Sequence, residues 1–172
     1  MSAFQACVAF TLKAEGNFVN DSRDSGGATN MGITLATLSA WRGEDCTAQD
    51  VEDMTKAEAV AIYGAHYWNP VRGDDLPPGV DLMVFDHGVL AGVGRSGRLL
   101  QTLAKVPVDG SIGPQTVAAV KRIAPSTLVQ SLAVAQLAYY QGCPGWVTFG
   151  KGWTNRVNAR RDAALSLARA HA

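Results

Sequence analysis

The chain is short of cysteine, of net charge and of long apolar runs, and each shortage excludes something. Cys7, Cys46 and Cys143 are too few and too scattered for a disulfide scaffold, and no two have the close spacing of a zinc site. They read as buried thiols of a reduced, cytosolically made protein, with one disulfide and a leftover thiol as the alternative. Fifteen basic residues balance fifteen acidic ones, so no global field draws the molecule to nucleic acid. No stretch reaches the roughly 18 to 20 apolar residues that span a bilayer, so stable membrane insertion is not expected. The opening MSAFQACVAFTL lacks a basic leader and is interrupted by Gln5, which makes it a poor export signal. GGATNMG lacks the Lys-Ser or Lys-Thr ending of a phosphate loop, and NDSRDSGGATNM lacks the alternating ligands and later Glu of an EF-hand. No metal or cofactor is expected.

What is present suits a folded, mainly helical protein. At 172 residues and 47% apolar composition the chain can bury a substantial core. Phe4, Cys7, Val8, Thr11, Leu12 and Glu15 follow three-and-four spacing, which predicts an opening helix stopped by Gly16. The Asn-, Asp-, Ser- and Gly-rich residues 17–32 favour turns or one small hairpin. Helical patterning runs from Thr34 to about Trp41, and from a Thr55–Glu58 capping box to Trp68. Further helices are predicted near 80–91, 95–104, 114–123, 126–141 and 151–170. VRGDDLPPGVD is the best boundary, dividing a half at 1–72 from a helical half at 73–172, the two packed as one globular unit.

Glutamate is scarce, and one of the four stands apart. Glu44, Glu52 and Glu58 sit in polar or cap-like contexts, whereas Glu15 extends the buried stripe of Phe4, Val8 and Leu12. A carboxyl group there lies against the core at the negative end of a helix, and both effects favour its neutral form. Such a group suits the proton donor of a glycosidase; the plain alternative is a carboxylate at a frayed helix end. Asp21, Asp24 and Thr29 follow in one polar loop able to fold back over the helix end. An inverting glycosidase needs a second group to position water, its two carboxyls roughly 6.5 to 9.5 Å apart, and Asp24 with Thr29 suits that task. Alternatively, they are turn formers bonding their own backbone.

The string EGNFVNDSRDSGGATNMGIT, residues 15–34, resembles the signature of glycoside hydrolase family 108, with Asn17 in place of a usual glycine and Ser22 in place of a usual proline. That resemblance implies a lysozyme-like helical domain with at most a small hairpin after the first helix. It implies cleavage of the N-acetylmuramic acid to N-acetylglucosamine bond of peptidoglycan, with Glu15 as catalytic acid. Asn20 and Asp21 would then contact substrate. The order Glu15, Asp24, Thr29 also looks like the Glu, Asp, Thr series of phage-type lysozymes, with one residue fewer between Asp24 and Thr29. The second half is similar to the predicted peptidoglycan domain that accompanies the family, although Asp86, His87, Gly88, Val89 and Leu90 stand where members often have Asp-x-Ala-Val-Asn. Partners implied are peptidoglycan strands and, for a phage endolysin, a membrane pore former (holin). The protein would be made in the bacterial host cytoplasm without a signal peptide, act on the wall after release, and be a monomer. A lytic transglycosylase and a non-catalytic wall-binding or secretion-helper protein are the competing readings.

Weaker features complete the list. Tyr67 and Trp68 are candidates to line a sugar cleft through their ring faces, Tyr63 less so, against the commoner reading of all three as core. His66 and His87 read as satisfied structural residues. VDGSIGPQTVAAV, residues 108–120, looks like the turn-and-helix of peptidoglycan-binding modules, and serves equally as a stable helix entry through Pro114. The segment from Lys151, with Arg156, Arg160, Arg161 and Arg169, reads as a basic helix with a solvated outer face packed through Trp153 and Val157.

Overall fold

The computed structural model describes residues 2–16, 18–20 and 27–170. It is mainly α-helical, with one two-stranded hairpin, as the patterning predicts. Helix α1 (Ala3–Ala14) is followed by strands β1 (Thr29–Asn30) and β2 (Ile33–Thr34) and helices α2 (Leu35–Arg42), α3 (Ala48–Glu52) and α4 (Lys56–Tyr63). A π-helical turn (Gly64–Trp68) and a 3-10 turn (Gly73–Asp75) lead to α5 (Val80–Ala91), α6 (Val93–Ala104), α7 (Pro114–Val120), α8 (Pro125–Gln141) and α9 (Trp146–Ala170). The chain divides into two compact units, Val8–His66 and Met1–Cys7 with Tyr67–Ala172. VRGDDLPPGVD lies inside the second of these, because Val71, Gly73, Leu76 and Val80 are buried there and Gly73 sits flat against the Trp68 indole.

In the Val8–His66 unit, local chemistry sets the element ends. Thr34 caps α2 by accepting from the Thr37 N–H at 3.2 Å, and Gly43 ends it in the left-handed region. The short helix α3 escapes the periodicity, yet Thr47 and Asp50 form the full reciprocal capping box. The box expected at Thr55 is half made. Thr55 accepts from the Glu58 N–H, but the Glu58 carboxylate is taken by the fork of Arg42 at 2.9 Å on both oxygens, which holds it below the usual carboxylate range. Asn30 donates to the Val51 and Glu52 carbonyls at 3.0 and 3.1 Å, so the hairpin satisfies orphan acceptors at the end of α3.

In the other unit, α5 is buried over Val80–Gly88, as expected of a helix apolar nearly all round. Phe4, Trp68 and Phe85 form one ring cluster, with centroids 5.4 to 6.3 Å apart. Cys7 is buried beside α5, and burial, with Asp81 and Asp86 adding to it, pushes its thiol well up. Cys46 and Cys143 are only half-buried, and all three thiols are free. In residues 108–120, the buried Gln101 accepts from the Gly110 N–H at 2.7 Å and donates to Asp109 at 2.7 Å and to the Ser111 carbonyl at 3.0 Å. Pro114 opens α7, so the motif here is a pinned helix entry.

The basic helix departs from expectation. Arg160 is 0% exposed, and it bonds Asp86 at 2.6 Å and Gln136 at 2.5 Å. Arg156 reaches the other oxygen of Asp86 at 2.8 Å. The i, i+4 spacing of Arg156 and Arg160 therefore points two cations inward at one buried carboxylate. His87, next in the chain, is buried between the rings of Tyr139 and Tyr140. Burial first, then Arg160 and Arg95, push its imidazole down to about 3, so it is neutral at ordinary pH. The satisfied role expected of it is not what the structure shows, because neither ring nitrogen has a hydrogen-bond partner among the described residues.

Candidate active site

The site is built where α1 ends. The Glu15 N–H still bonds the Thr11 carbonyl at 3.1 Å, closing the last helical turn and fixing the direction in which the side chain leaves. Glu15 is half-buried, and its Oε1 is shielded from solvent. What lies against its carboxyl group is the hairpin tip. Thr29 pairs with Thr34 and Asn30 with Ile33, leaving Met31 and Gly32 as a two-residue loop. Both have positive φ, +48° and +74°, the type I′ pattern that matches strand twist.

Gly32 marks a point of close approach. A Cβ there would lie 2.4 Å from the Tyr63 hydroxyl oxygen and 3.0 Å from Glu15 Oε2, so the carboxyl and the phenol converge on the glycine backbone. Tyr63, 0% exposed at the end of α4, donates its O–H to the Met31 carbonyl at 2.9 Å. That bond pins the strained Met31, whose positive φ is uncommon for a side chain of its kind. Three separate segments therefore set the position of one carboxyl group: the helix end, the hairpin turn and the Tyr63 phenol.

The loop between is closed at its base. Val19 pairs with Thr29 through reciprocal N–H to carbonyl bonds of 2.8 Å, which adds a third short segment beside the hairpin. Thr29 thus sits half-buried in this small sheet, with Asn20 exposed just after the pairing. Asp21 and Asp24 lie outside the described residues, as does the 21–26 part of the segment NDSRDSGGATNM weighed above as a calcium loop. Among the described residues no three His, Cys, Asp or Glu side chains come together as metal ligands.

The aromatic candidates separate. Trp68 is 2% exposed in the ring cluster with Phe4 and Phe85, which leaves no ring face for a sugar; it is a packing residue, and the reading of it as a cleft residue does not hold. Tyr67 is half-buried. Tyr63 carries more of the site than its spacing suggests, because helical periodicity reveals burial but not the turn on which a buried hydroxyl will land.

The convergence at Gly32 makes a sharp prediction. Gly32→Ala forces a methyl group against Tyr63 and Glu15 in a backbone region that alanine avoids. We expect a loss of about 1 to 3 kcal/mol in unfolding free energy, with turnover falling further than stability requires. Denaturant titration and rate measurement on the same sample check it; a fully active Gly32→Ala protein would mean that the Glu15 carboxyl need not be held there.

Residues 8–92 match the family model described as Glycosyl hydrolase 108, and residues 95–158 match that of a Predicted Peptidoglycan domain. Among solved structures, that of Brucella abortus SagA is similar along nearly its full length. The two chains are 44% identical with a TM-score of 0.88, covering 96% of this chain and 95% of that one. No curated protein matches.

Proposed function

On the premise that the chain belongs to the glycosyl hydrolase 108 family, and so is a glycoside hydrolase acting on peptidoglycan, we propose that it is an N-acetylmuramidase with Glu15 as its general acid. The observation that carries this reading is the Glu15 carboxyl, half-buried at the α1 terminus, with its Oε2 close against Gly32 at the hairpin tip that the Tyr63 hydroxyl pins. A carboxylic acid with one oxygen shielded is suited to hand a proton to the glycosidic oxygen as the bond to N-acetylmuramic acid breaks.

The remaining steps follow from the charge that develops. As the leaving oxygen takes the proton, the sugar becomes oxocarbenium-like, and attack by a water completes the hydrolysis. We assign that water to Asp24 and Thr29; the pairing of Thr29 with Val19 supports this by bringing the loop's two ends together. Asn20, Asp21 and Tyr67 are assigned to the glycan strand. In this reading the enzyme works as a monomer without a cofactor, and in an endolysin role it reaches the wall through a pore former.

Mass spectrometry of fragments released from purified peptidoglycan tests the reaction type. A hydrolase leaves reducing N-acetylmuramic acid ends. Anhydro-muramic ends would replace the proposal with a lytic transglycosylase, and binding without any release would leave a wall-binding protein.

A further inference from the structure

Asp86 and His87 stand side by side in the buried run of α5, and the fold treats them differently. Asp86 is matched by Arg156 at 2.8 Å and Arg160 at 2.6 Å. His87 is 0% exposed, and neither of its ring nitrogens meets a hydrogen-bond partner among the described residues. Burying a polar ring without partners costs stability, whereas leucine or methionine would fill a similar volume at no such cost. Packing alone therefore does not account for an imidazole here.

The elements packed on α5 oppose a positive charge on that ring or leave it unmet. From α8, Tyr139 and Tyr140 set their rings 5.6 and 5.7 Å from it, and burial raises the Tyr140 phenol, so it offers no anion. From α6, Arg95 lies 5.0 Å over the Tyr139 ring. From α9, Arg156 and Arg160 share the Asp86 carboxylate between them. The other acids of α5 and the 3-10 turn are committed or exposed: Asp81 accepts from the Gly79 and Leu82 N–H groups at 2.7 Å, Asp75 holds Arg72 at 2.7 Å, and Asp74 is exposed. Cys7, from α1, stays a thiol because burial pushes it well up. An imidazolium would thus bring two N–H donors without acceptors and a further cation beside Arg160 and Arg95. Burial first, then Arg160 and Arg95, hold the ring down to about 3 from its ordinary 6.5, although Asp86 pulls the other way.

We propose that His87 is an acid-sensitive latch in the Tyr67–Ala172 unit: a proton taken up by its imidazole opens the packing of α5 against α8 and α9. The charged ring can meet water only by leaving the space between Tyr139 and Tyr140. The end of α8 then moves away, and the contact of Tyr140 with Trp153, 5.4 Å between ring centroids, is lost with it. The direction follows from proton linkage. The opened chain binds the proton near pH 6.5 and the closed one only near 3, so the closed state is at full strength above about 6.5 and weakens as pH falls towards 3. One proton is taken up per opening, and this acid limit is separate from Glu15, whatever bond the enzyme cuts.

The test is urea unfolding of the full-length protein at pH values from about 7 down to about 4, followed by tryptophan fluorescence, for wild type, His87→Gln and His87→Leu. Neither replacement can take up the proton, and carboxylates that titrate in the same range cancel in the comparison. Between about pH 6 and about pH 4 the unfolding constant should rise about 70-fold more in wild type than in the variants. A difference within about twofold overturns the proposal, since some other group then drives acid unfolding. A wild-type readout covers the case in which the variants do not fold. By proton NMR, one of the three histidine rings should remain neutral down to about pH 4. Titration of all three near pH 6.5 overturns the proposal, because His87 would then reach water in the folded protein.

Discussion

Glu15→Gln is expected to slow release of reducing ends from peptidoglycan by about 10²- to 10⁴-fold, the usual worth of a positioned general acid. The substitution keeps the shape of the side chain while replacing the ionisable carboxyl with a neutral amide that has no proton to give at working pH. The packing of that group against Gly32 should therefore survive, and the melting temperature should stay close to wild type. That combination distinguishes a chemical role from a structural one. A variant retaining more than about a tenth of the wild-type rate would show that Glu15 is not the acid, and Asp24 would become the next residue to replace. Loss of folding in step with loss of activity would instead mark Glu15 as a structural carboxylate of the helix end.

The second large effect concerns stability rather than chemistry. Asp86 is 0% exposed and holds Arg156 at 2.8 Å and the equally buried Arg160 at 2.6 Å. Asp86→Ala leaves two guanidinium groups without their counter-charge, one of them wholly out of water. Removing one partner of such a buried pair costs about 3 to 5 kcal/mol, because the remaining ion keeps its desolvation penalty. For a chain of this size that corresponds to a fall in melting temperature of about 10 °C. Thermal and urea unfolding measure it. Adding Arg160→Met should recover part of the loss, since an apolar side chain of similar length carries no penalty for burial. If Asp86→Ala costs less than about 1 kcal/mol, water reaches the cluster and the pair contributes as a surface ion pair would.

These two residues show unequal legibility. Glu15 is visible because its evidence is local: a carboxylate at the end of an apolar stripe, then a glycine, then a turn-rich segment, all within twenty residues. Asp86 is not. Its sequence context, a polar residue in the apolar run VDLMVFDHG, announces burial but gives no partner, and its cations lie 70 and 74 residues away on α9. Read alone, α9 is a helix with many arginines, for which a solvated face is the ordinary outcome. Only the packing of α5 and α8 against it decides that Arg156 and Arg160 turn inward while Lys151 and Arg169 remain exposed.

The hairpin makes the same point at smaller scale. Turn-forming composition predicts it, and the glycine after Met31 suits its loop. The bond from Tyr63 to Met31, across 32 residues, and the contact of Gly32 with Glu15 do not follow from either segment read by itself. Similarly, the Thr55–Glu58 spacing is a sound capping signal, but Arg42 competes for the Glu58 carboxylate and wins through a bidentate charged contact. Local rules name the groups available; they do not rank distant claimants.

The sequence by itself determined the helical class, most helix positions, the small hairpin and the carboxylate on which a glycosidase reading rests. It could do so because helix periodicity, capping and turn chemistry act within a few residues and are written directly in the order of side chains. Tertiary structure alone decided which polar groups are satisfied inside, which arginines are buried, that Trp68 packs in the core, and that Gly32, in the turn Tyr63 pins, lies against the Glu15 carboxyl. Those outcomes depend on contacts between segments far apart in the chain, where desolvation and close packing choose among partners that no local pattern distinguishes.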